Sequence, residues 1–159
     1  MNVVGVDFSP VQVERARTWW RDERRVSFVR AMAGAFLTAD TATYDAVYSV
    51  WGAVWCTDPE ELLPLIAARL TDGGVLAFRQ AEPTADAWGP QRMGGTWLEG
   101  REDELTVLRW QYSPALRTDL LKRSGFADVA ATALAAPAPG QPGTLLVRAR
   151  TAVAARRNG

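Results

Sequence analysis

An acidic side chain follows the first apolar stretch of the chain. Residues 3–6 predict a buried strand that ends at Asp7, and Ser9 and Pro10 predict the first turn of a helix directly after it. A carboxylate at the carboxyl end of a strand in an open α/β sheet can accept hydrogen bonds from the two hydroxyls of a ribose. Asp7 is therefore the leading candidate for a contact with a nucleotide-like ligand. The alternative role of Asp7 is to stabilise the N-terminus of the helix.

Histidine is absent and Cys56 is the single cysteine, which narrows the chemistry open to the chain. Without histidine, Ser-His-Asp and Cys-His catalysis are excluded, and no metal site of the zinc type is expected. A single cysteine forms no disulfide within the chain, so we expect a cytoplasmic protein. The sequence assigns no catalytic residue, and any reaction must rest on carboxylates, tyrosine, lysine, a cofactor or the positioning of substrates.

Composition and charge indicate one globular domain. The chain has 159 residues, of which 48% are apolar, and its 18 basic residues balance 18 acidic ones. A neutral chain has no overall field that would attract nucleic acid or anionic lipid, so we expect neither nucleic acid nor membrane as a partner. We predict a domain over residues 1–150 and a C-terminal tail over residues 151–159.

Short apolar strands alternate with helices along the chain, which is typical of βαβ units and a mostly parallel sheet. Strands are predicted at residues 3–7, 26–29, 44–50 and 75–78, and helices at Pro10, Pro59 and Pro114. Two later strands, at residues 128–133 and 144–149, predict an antiparallel addition. The fold class is therefore α/β: a Rossmann-like, mostly parallel sheet with helices on both faces and an antiparallel C-terminal edge strand.

Two segments are predicted to be irregular. Residues 31–43 are expected to form a loop with at most one helical turn. Residues 81–104 are rich in Gly, Pro and Trp, and we expect them to form a mobile lid in which Trp88 and Trp97 bury apolar surface on closing.

Three segments, in this order, resemble class I S-adenosylmethionine-dependent methyltransferases of the small-molecule type. Residues 4–10 are similar to the acidic-strand motif of that family, residues 44–49 to its central motif, and residues 70–76 to a turn that usually has a Pro before two glycines, here Asp72. The likeness starts at the second strand of the family, and its glycine-rich first motif has no counterpart, so we expect the first strand–helix unit to be missing. The resemblance implies S-adenosylmethionine as the cofactor.

The resemblance also implies which residues line the site. Those expected to bind the cofactor are Asp7, Phe8, Met32, Ala33, Ser49 and Val50. Those expected to bind the substrate are Trp51, Trp55, Gln80 and Trp88, with the tryptophans in loops on the ligand side. Met32 stands where the family often has an acid, and its thioether can pack on adenine but cannot accept a hydrogen bond as a carboxylate would. Trp19, Trp20 and Trp110 are instead expected to fill the core.

Several functions remain open at this point. The leading hypothesis is methyl transfer from S-adenosylmethionine to a small acceptor, aromatic acceptors included, by an N-terminally truncated enzyme. The alternative is a degenerate methyltransferase-like module that has no activity and acts in protein interaction. A nicotinamide-dependent oxidoreductase is a weaker third hypothesis, because an acid after the second strand also binds ribose in such enzymes. Without the first strand, sheet edges would be exposed, which predicts self-association in addition to binding of a small-molecule substrate.

Overall fold

The chain folds into two compact units. The computed structural model describes residues 1–83, 88–95 and 105–153. One unit is Met1–Ala42 and the other is Thr43–Gly159. Each contains its own sheet, so the elements of each unit are described separately.

The first unit contains two parallel strands and two helices. Its elements in chain order are β1 (Val3–Asp7), α1 (Pro10–Trp19), β2 (Val26–Arg30) and α2 (Ala33–Ala39). Gly5 of β1 pairs with Phe28 of β2, and a Cβ atom at position 5 would lie 2.6 Å from the phenyl ring. A glycine is therefore needed at this close approach. The two strands run parallel, so their carboxyl ends lie at the same edge of this small sheet.

The helices of the first unit differ in how well the sequence signals them. Helix α1 begins as predicted, with Ser9 Oγ accepting a hydrogen bond from Gln12 N at 3.4 Å. Helix α2 replaces most of the expected loop, and the sequence does not signal it because its N-cap Met32 makes no side-chain cap hydrogen bond and no acidic residue lies in its first turn. The expectation that Trp19 and Trp20 fill the core is wrong: 74% of Trp19 and 54% of Trp20 is exposed, at the C-terminal end of α1.

Within its described residues, the second unit contains a four-stranded sheet, a hairpin and three helices. Its elements are β3 (Tyr44–Val50), α3 (Ala53–Cys56), α4 (Pro59–Arg69), β4 (Leu70–Ala81), β5 (Gly89–Gly95), β6 (Leu105–Gln111), α5 (Pro114–Arg123), β7 (Phe126–Leu134) and β8 (Thr144–Thr151). The strand order is β3-β4-β8-β7. β3 and β4 are parallel, whereas β8 runs antiparallel to both β4 and β7. The predicted α/β class with an antiparallel C-terminal addition is confirmed, with β8 inside the sheet and β7 at its edge. The sheet is mixed rather than mostly parallel, because β8 pairs antiparallel on both of its sides.

Strand β4 begins earlier than the sequence indicates. The predicted turn at Asp72, Gly73 and Gly74 lies within the assigned strand, where the pairing with β3 shifts in register between Tyr44 and Ala46. Gly73 adopts a φ of 70°, which glycine reaches without the strain that a side chain would cause. The strand thus accommodates the glycines as an irregularity before its regular, buried part.

The expected lid contains regular structure. Residues 89–95 form β5, which pairs antiparallel with β6 from Gly89 opposite Gln111 to Gly95 opposite Leu105. The prediction of a structureless segment is therefore wrong for this part, because long-range pairing outweighs the weak strand tendency of its glycines. Residues 84–87 and 96–104, including Trp97, lie outside the described residues.

The core of the second unit lies around β4, β8 and the helices α4 and α5. Its fully buried apolar side chains are Leu62 and Leu63 of α4, Leu76 of β4, Leu121 of α5, and Leu145 and Val147 of β8. The apolar positions of β4 and β8 alternate with more exposed ones, as expected for strands. Helices α4 and α5 begin at Asp58 and Ser113, whose side chains accept hydrogen bonds from Glu60 N and Leu116 N.

The strands β1 and β3, next to which the missing strand was expected, each have one strand partner within the described parts of the chain. β1 pairs only with β2, and β3 pairs only with β4. Tyr48 and Val50 of β3 are 73% and 49% exposed, so apolar side chains accompany its open edge. Self-association through these edges stays a prediction. Across the described residues, no helix has the length and apolar character needed to cross a membrane.

Candidate functional site

Asp7 lies at the carboxyl end of β1, where the chain turns into α1. Its Oδ1 accepts a hydrogen bond from Ser9 N at 2.8 Å, and its backbone oxygen accepts one from Ala31 N at 3.0 Å. The first bond holds the turn and the second joins the ends of β1 and β2. The carboxylate is nevertheless exposed, so its other oxygen remains accessible at a fixed backbone position. This geometry suits both candidate roles of Asp7, since one oxygen shapes the turn and the other can meet a ligand.

The other candidate cofactor residues of the first unit lie at the same edge. Phe8 follows Asp7 and is 69% exposed, while Met32 follows β2 as the N-cap of α2 and is 59% exposed. Ala33 is the first residue of α2 and is half-buried. The edge therefore offers a carboxylate together with an aromatic and a thioether side chain. A planar, apolar ring system with vicinal hydroxyls would match these groups.

A shallow concavity opens beside this edge. Its volume is about 250 Å³, and it is lined by Gly5, Val6, Asp7, Gln12, Val13, Ala16 and Phe28. The lining brings the candidate carboxylate next to apolar side chains of β1, β2 and α1. A ligand contact at Asp7, and the role of each predicted residue at this edge, stays a prediction.

A second group of candidate residues lies in the second unit, at the carboxyl end of β3. Trp51 directly follows β3 and adopts a φ of 53°. The backbone N–H of Trp51 donates a hydrogen bond to the backbone oxygen of Arg79 at 3.1 Å, and Ser49 Oγ accepts a hydrogen bond from Val54 N at 3.4 Å. These bonds hold a tight turn between β3 and α3. A bulky residue in the left-handed region carries about 1–3 kcal/mol of strain, which tends to occur at functional sites.

The turn places Trp51 against a buried tryptophan while leaving part of its own ring accessible. Trp51 is 42% exposed and meets Trp55 edge-on, with ring centroids 5.2 Å apart. Trp55, expected in a loop, lies instead in α3 with 3% of its surface exposed, and the guanidinium of Arg109 lies 4.1 Å from its ring centroid. Trp51 is therefore the accessible member of the pair, and Trp55 supports it. The sequence does not single out Arg109, because its position depends on the placement of β6 beside α3.

We expect Trp51→Gly to leave the protein more stable than Trp51→Ala by about 1–2 kcal/mol. Both variants lose the indole, but only glycine adopts a positive φ without strain. The matched pair is Val50→Gly and Val50→Ala in β3, where glycine should instead be the less stable by about 0.5–1 kcal/mol. Urea denaturation of the four variants measures both differences. The same sign at both positions would show that the backbone at residue 51 is unstrained.

Gln80 and Trp88 differ sharply in their exposure. Gln80 is fully buried near the end of β4, its Oε1 accepting from Arg117 Nη2 at 3.4 Å and its Nε2 donating to Trp110 O at 3.5 Å. Trp88 is 72% exposed just before β5. Gln80 is thus tied to an arginine that the sequence does not single out, because nothing in the local pattern of α5 marks Arg117 as buried.

Two further chemistries receive no support from the described residues. Burial raises the pKa of the Cys56 thiol, although the nearby Arg109 acts in the opposite direction, so the reactive thiolate is disfavoured. Within the described ranges, no three carboxylate or cysteine side chains are grouped so that they could hold a metal ion.

Comparison with known proteins shows which proteins this chain resembles. Residues 1–74 match a methyltransferase domain family. The chain is 31% identical over 131 residues to a trans-aconitate 2-methyltransferase of Methylobacterium radiotolerans, an alignment that covers 75% of this chain and 46% of that enzyme. The resemblance of this chain to methyltransferases is therefore confirmed. The chain spans about half the length of this curated relative.

Solved methyltransferase structures share the fold. The glycopeptide N-methyltransferase MtfA in complex with S-adenosylmethionine has a TM-score of 0.64 and 22% identity, over 94% of this chain and 77% of MtfA. A Mesorhizobium loti S-adenosylmethionine-dependent methyltransferase has a TM-score of 0.64 and 20% identity, over 94% of this chain and 80% of the Mesorhizobium chain. The Burkholderia thailandensis 1,6-didemethyltoxoflavin-N1-methyltransferase has a TM-score of 0.66 and 19% identity, over 95% of this chain and 61% of the Burkholderia chain. That structure was solved with 1,6-didemethyltoxoflavin and S-adenosylhomocysteine bound.

These findings bear on the hypotheses drawn from the sequence. The cofactor expected for this chain is the one that MtfA binds in its solved complex. The matches are to methyltransferases, so the degenerate interaction module is not favoured. The identity of the acceptor is not fixed by these comparisons, because the similar proteins act on different compounds.

Proposed function

We propose that this chain transfers a methyl group from S-adenosylmethionine to a small acceptor that packs against Trp51. The observation that carries the proposal is the strained turn after β3, which holds a partly exposed indole on a buried one. Aromatic surfaces of this kind bind flat or cationic groups through stacking and cation–π attraction. The methyltransferase family match, which extends through β3 to residue 74, supports the reaction type.

The residues at the end of β1 suit the proposed cofactor. Asp7 would accept hydrogen bonds from the ribose hydroxyls, while Phe8 and Met32 would cover the adenine. Ala33 of α2 would also lie against the cofactor. Ser49 and Val50 belong to the second unit and stay candidates on the basis of the family resemblance alone. These side chains are exposed or half-buried, so a ligand could contact them.

Positioning of the acceptor would supply most of the rate acceleration. S-adenosylmethionine provides an activated methyl group, so the chain needs only to orient the acceptor and exclude water. Trp51, supported by the buried Trp55, would fix the plane of the acceptor. Trp88 is exposed and would also contact the acceptor, whereas the buried Gln80 would act on it only through Arg117. A dedicated base would be needed only for an acceptor that must lose a proton.

Small acceptors are supported by the relatives. One similar enzyme acts on trans-aconitate and one similar structure holds 1,6-didemethyltoxoflavin. We therefore place the acceptor of this chain among small organic acids and flat heterocycles, with aromatic acceptors included.

Transfer of a labelled methyl group from S-adenosylmethionine to a panel of such compounds tests this proposal. We expect at least one product, and we expect Trp51→Ala to raise the acceptor KM about two- to tenfold without changing the KM for the cofactor. Trp20→Ala, which removes an exposed tryptophan of the first unit, is the control. Absence of any labelled small molecule, or a change confined to the cofactor KM, would contradict the proposal.

A further inference from the structure

Arg117 is a cation enclosed in the second unit. It lies in α5 and has no exposed surface. Its Nη2 donates to Trp110 O at 3.1 Å and to Gln80 Oε1 at 3.4 Å. The rings of Tyr112 and Phe78 lie 4.9 Å and 5.5 Å from its central carbon, so aromatic faces flank the guanidinium. All these neighbours are uncharged.

The remaining donors of Arg117 have no acceptor. Its Nε and Nη1 are buried and make no hydrogen bond to the described residues, and no ion pair joins Arg117 to a carboxylate in residues 1–83, 88–95 or 105–153. Burial lowers the pKa of Arg117 to about 10, with Tyr112 acting in the opposite direction. The guanidinium therefore keeps its charge at neutral pH. A buried charge without a counterion is strongly unfavourable, which indicates that a partner completes the site.

We propose that Arg117 binds a carboxylate of the methyl acceptor, with Gln80 holding the guanidinium in place. This inference rests on the proposed function and adds a substrate class to it, namely small carboxylic acids. Nε would donate to an oxygen of the bound carboxylate, and a charged pair of this kind forms a strong hydrogen bond.

A carboxylate suits this environment better than a phosphate. A carboxylate group would place one negative charge against the guanidinium, whereas a phosphate dianion would place two at the same point among Phe78, Tyr112 and Trp110. The other carboxylates of a larger acid would lie farther from Arg117. Tyr112 is partly exposed and lies in the short link between β6 and α5, so a ligand would reach Arg117 past its side chain.

Binding of tricarballylate, a small tricarboxylate, tests the proposal without any methyl transfer. In wild-type protein we expect calorimetric binding of tricarballylate, no binding of its uncharged triamide, and a downfield shift of the Arg117 Nε–H proton in NMR spectra. Arg117→Met should weaken binding about tenfold or more, because a charge-assisted hydrogen bond is lost. Methionine is a suitable replacement because a buried apolar side chain of similar length avoids an unpaired charge.

Arg123→Met is the matched control, since Arg123 lies in the same helix but pairs with Glu60 at the surface. We expect it to bind tricarballylate as wild type does. If Arg117→Met fails to fold, the Nε–H shift in wild-type protein still decides the matter. Equal affinity in Arg117→Met and wild type, or an unmoved Nε–H signal, would overturn the proposal.

Two arms separate this inference from its alternatives. S-adenosylhomocysteine also carries a carboxylate, and a shift of the Arg117 signal with that compound alone would assign Arg117 to the cofactor and overturn the acceptor assignment. Methyl transfer to an uncharged acceptor without tricarballylate binding would remove the inference and leave the proposed function intact. Tricarballylate binding at Arg117 without methyl transfer to any acid would retain the site and remove the proposed reaction.

Discussion

Replacing Leu121 by alanine should lower the free energy of unfolding by about 2–5 kcal/mol. Leu121 lies in α5 and is fully buried in the core of the second unit. Truncation removes buried methyl groups and leaves a cavity that the surrounding side chains fill only in part. The result would locate the core on the face of α5 that carries Leu121.

Leu116 provides a control on the same helix. It is 45% exposed, so Leu116→Ala removes the same atoms from a position where water already has access. We expect a change within about 0.5 kcal/mol for this surface substitution. Urea denaturation followed by circular dichroism measures both variants. Similar losses at the two positions would show that α5 packs through a different face.

Local signals make several elements predictable. Asp58 and Ser113 each precede a proline, and both side chains accept hydrogen bonds from the first turn of the helix that follows. The strand predicted over residues 44–50 has the bounds of β3, because its tyrosines and valines favour a strand and Gly52 follows closely. These features depend on neighbours in sequence, which is why a single sequence reveals them.

Elements that depend on distant contacts escape prediction from the sequence. Helix α2 has no capping side chain and buries Leu37 as its anchor, so its formation depends on packing rather than on local signals. β5 contains three glycines and a proline between residues 89 and 95 and still pairs along its length with β6. Both cases show tertiary contacts that outweigh local tendency.

The candidate site is predictable only in part. Asp7 can be proposed because a strand end and a helix start border it in sequence. The positive φ of Trp51 accompanies a hydrogen bond to β4, and the burial of Arg117 depends on contacts with β4 and β6. No local sequence pattern predicts either feature. The burial of Trp55 under Trp51 likewise follows from α3, a helix too short for its sequence to signal.

Asp7→Ala should weaken cofactor binding more than alanine at Phe8 or Met32, because only Asp7 brings a charge to the ribose. Losing charge-assisted hydrogen bonds would cost about 1.5–3 kcal/mol, which is roughly 10- to 150-fold in Kd. Asp45→Ala is the matched control, because Asp45 lies near the amino end of β3, where its Oδ1 accepts a hydrogen bond from Thr71 Oγ1 at 3.5 Å. Asp7→Asn separates the two roles of Asp7, since an amide oxygen can still accept from Ser9 N but carries no charge for the ribose.

Titration with S-adenosylhomocysteine, followed by saturation-transfer NMR, tests the central claim most directly. We expect saturation of the adenine and ribose protons in wild-type protein, a similar Kd in Asp45→Ala, and a Kd raised at least about tenfold in both Asp7→Ala and Asp7→Asn. No saturation of the ligand at millimolar concentration, or an equal Kd in the Asp7 and Asp45 variants, would contradict a cofactor site at the end of β1.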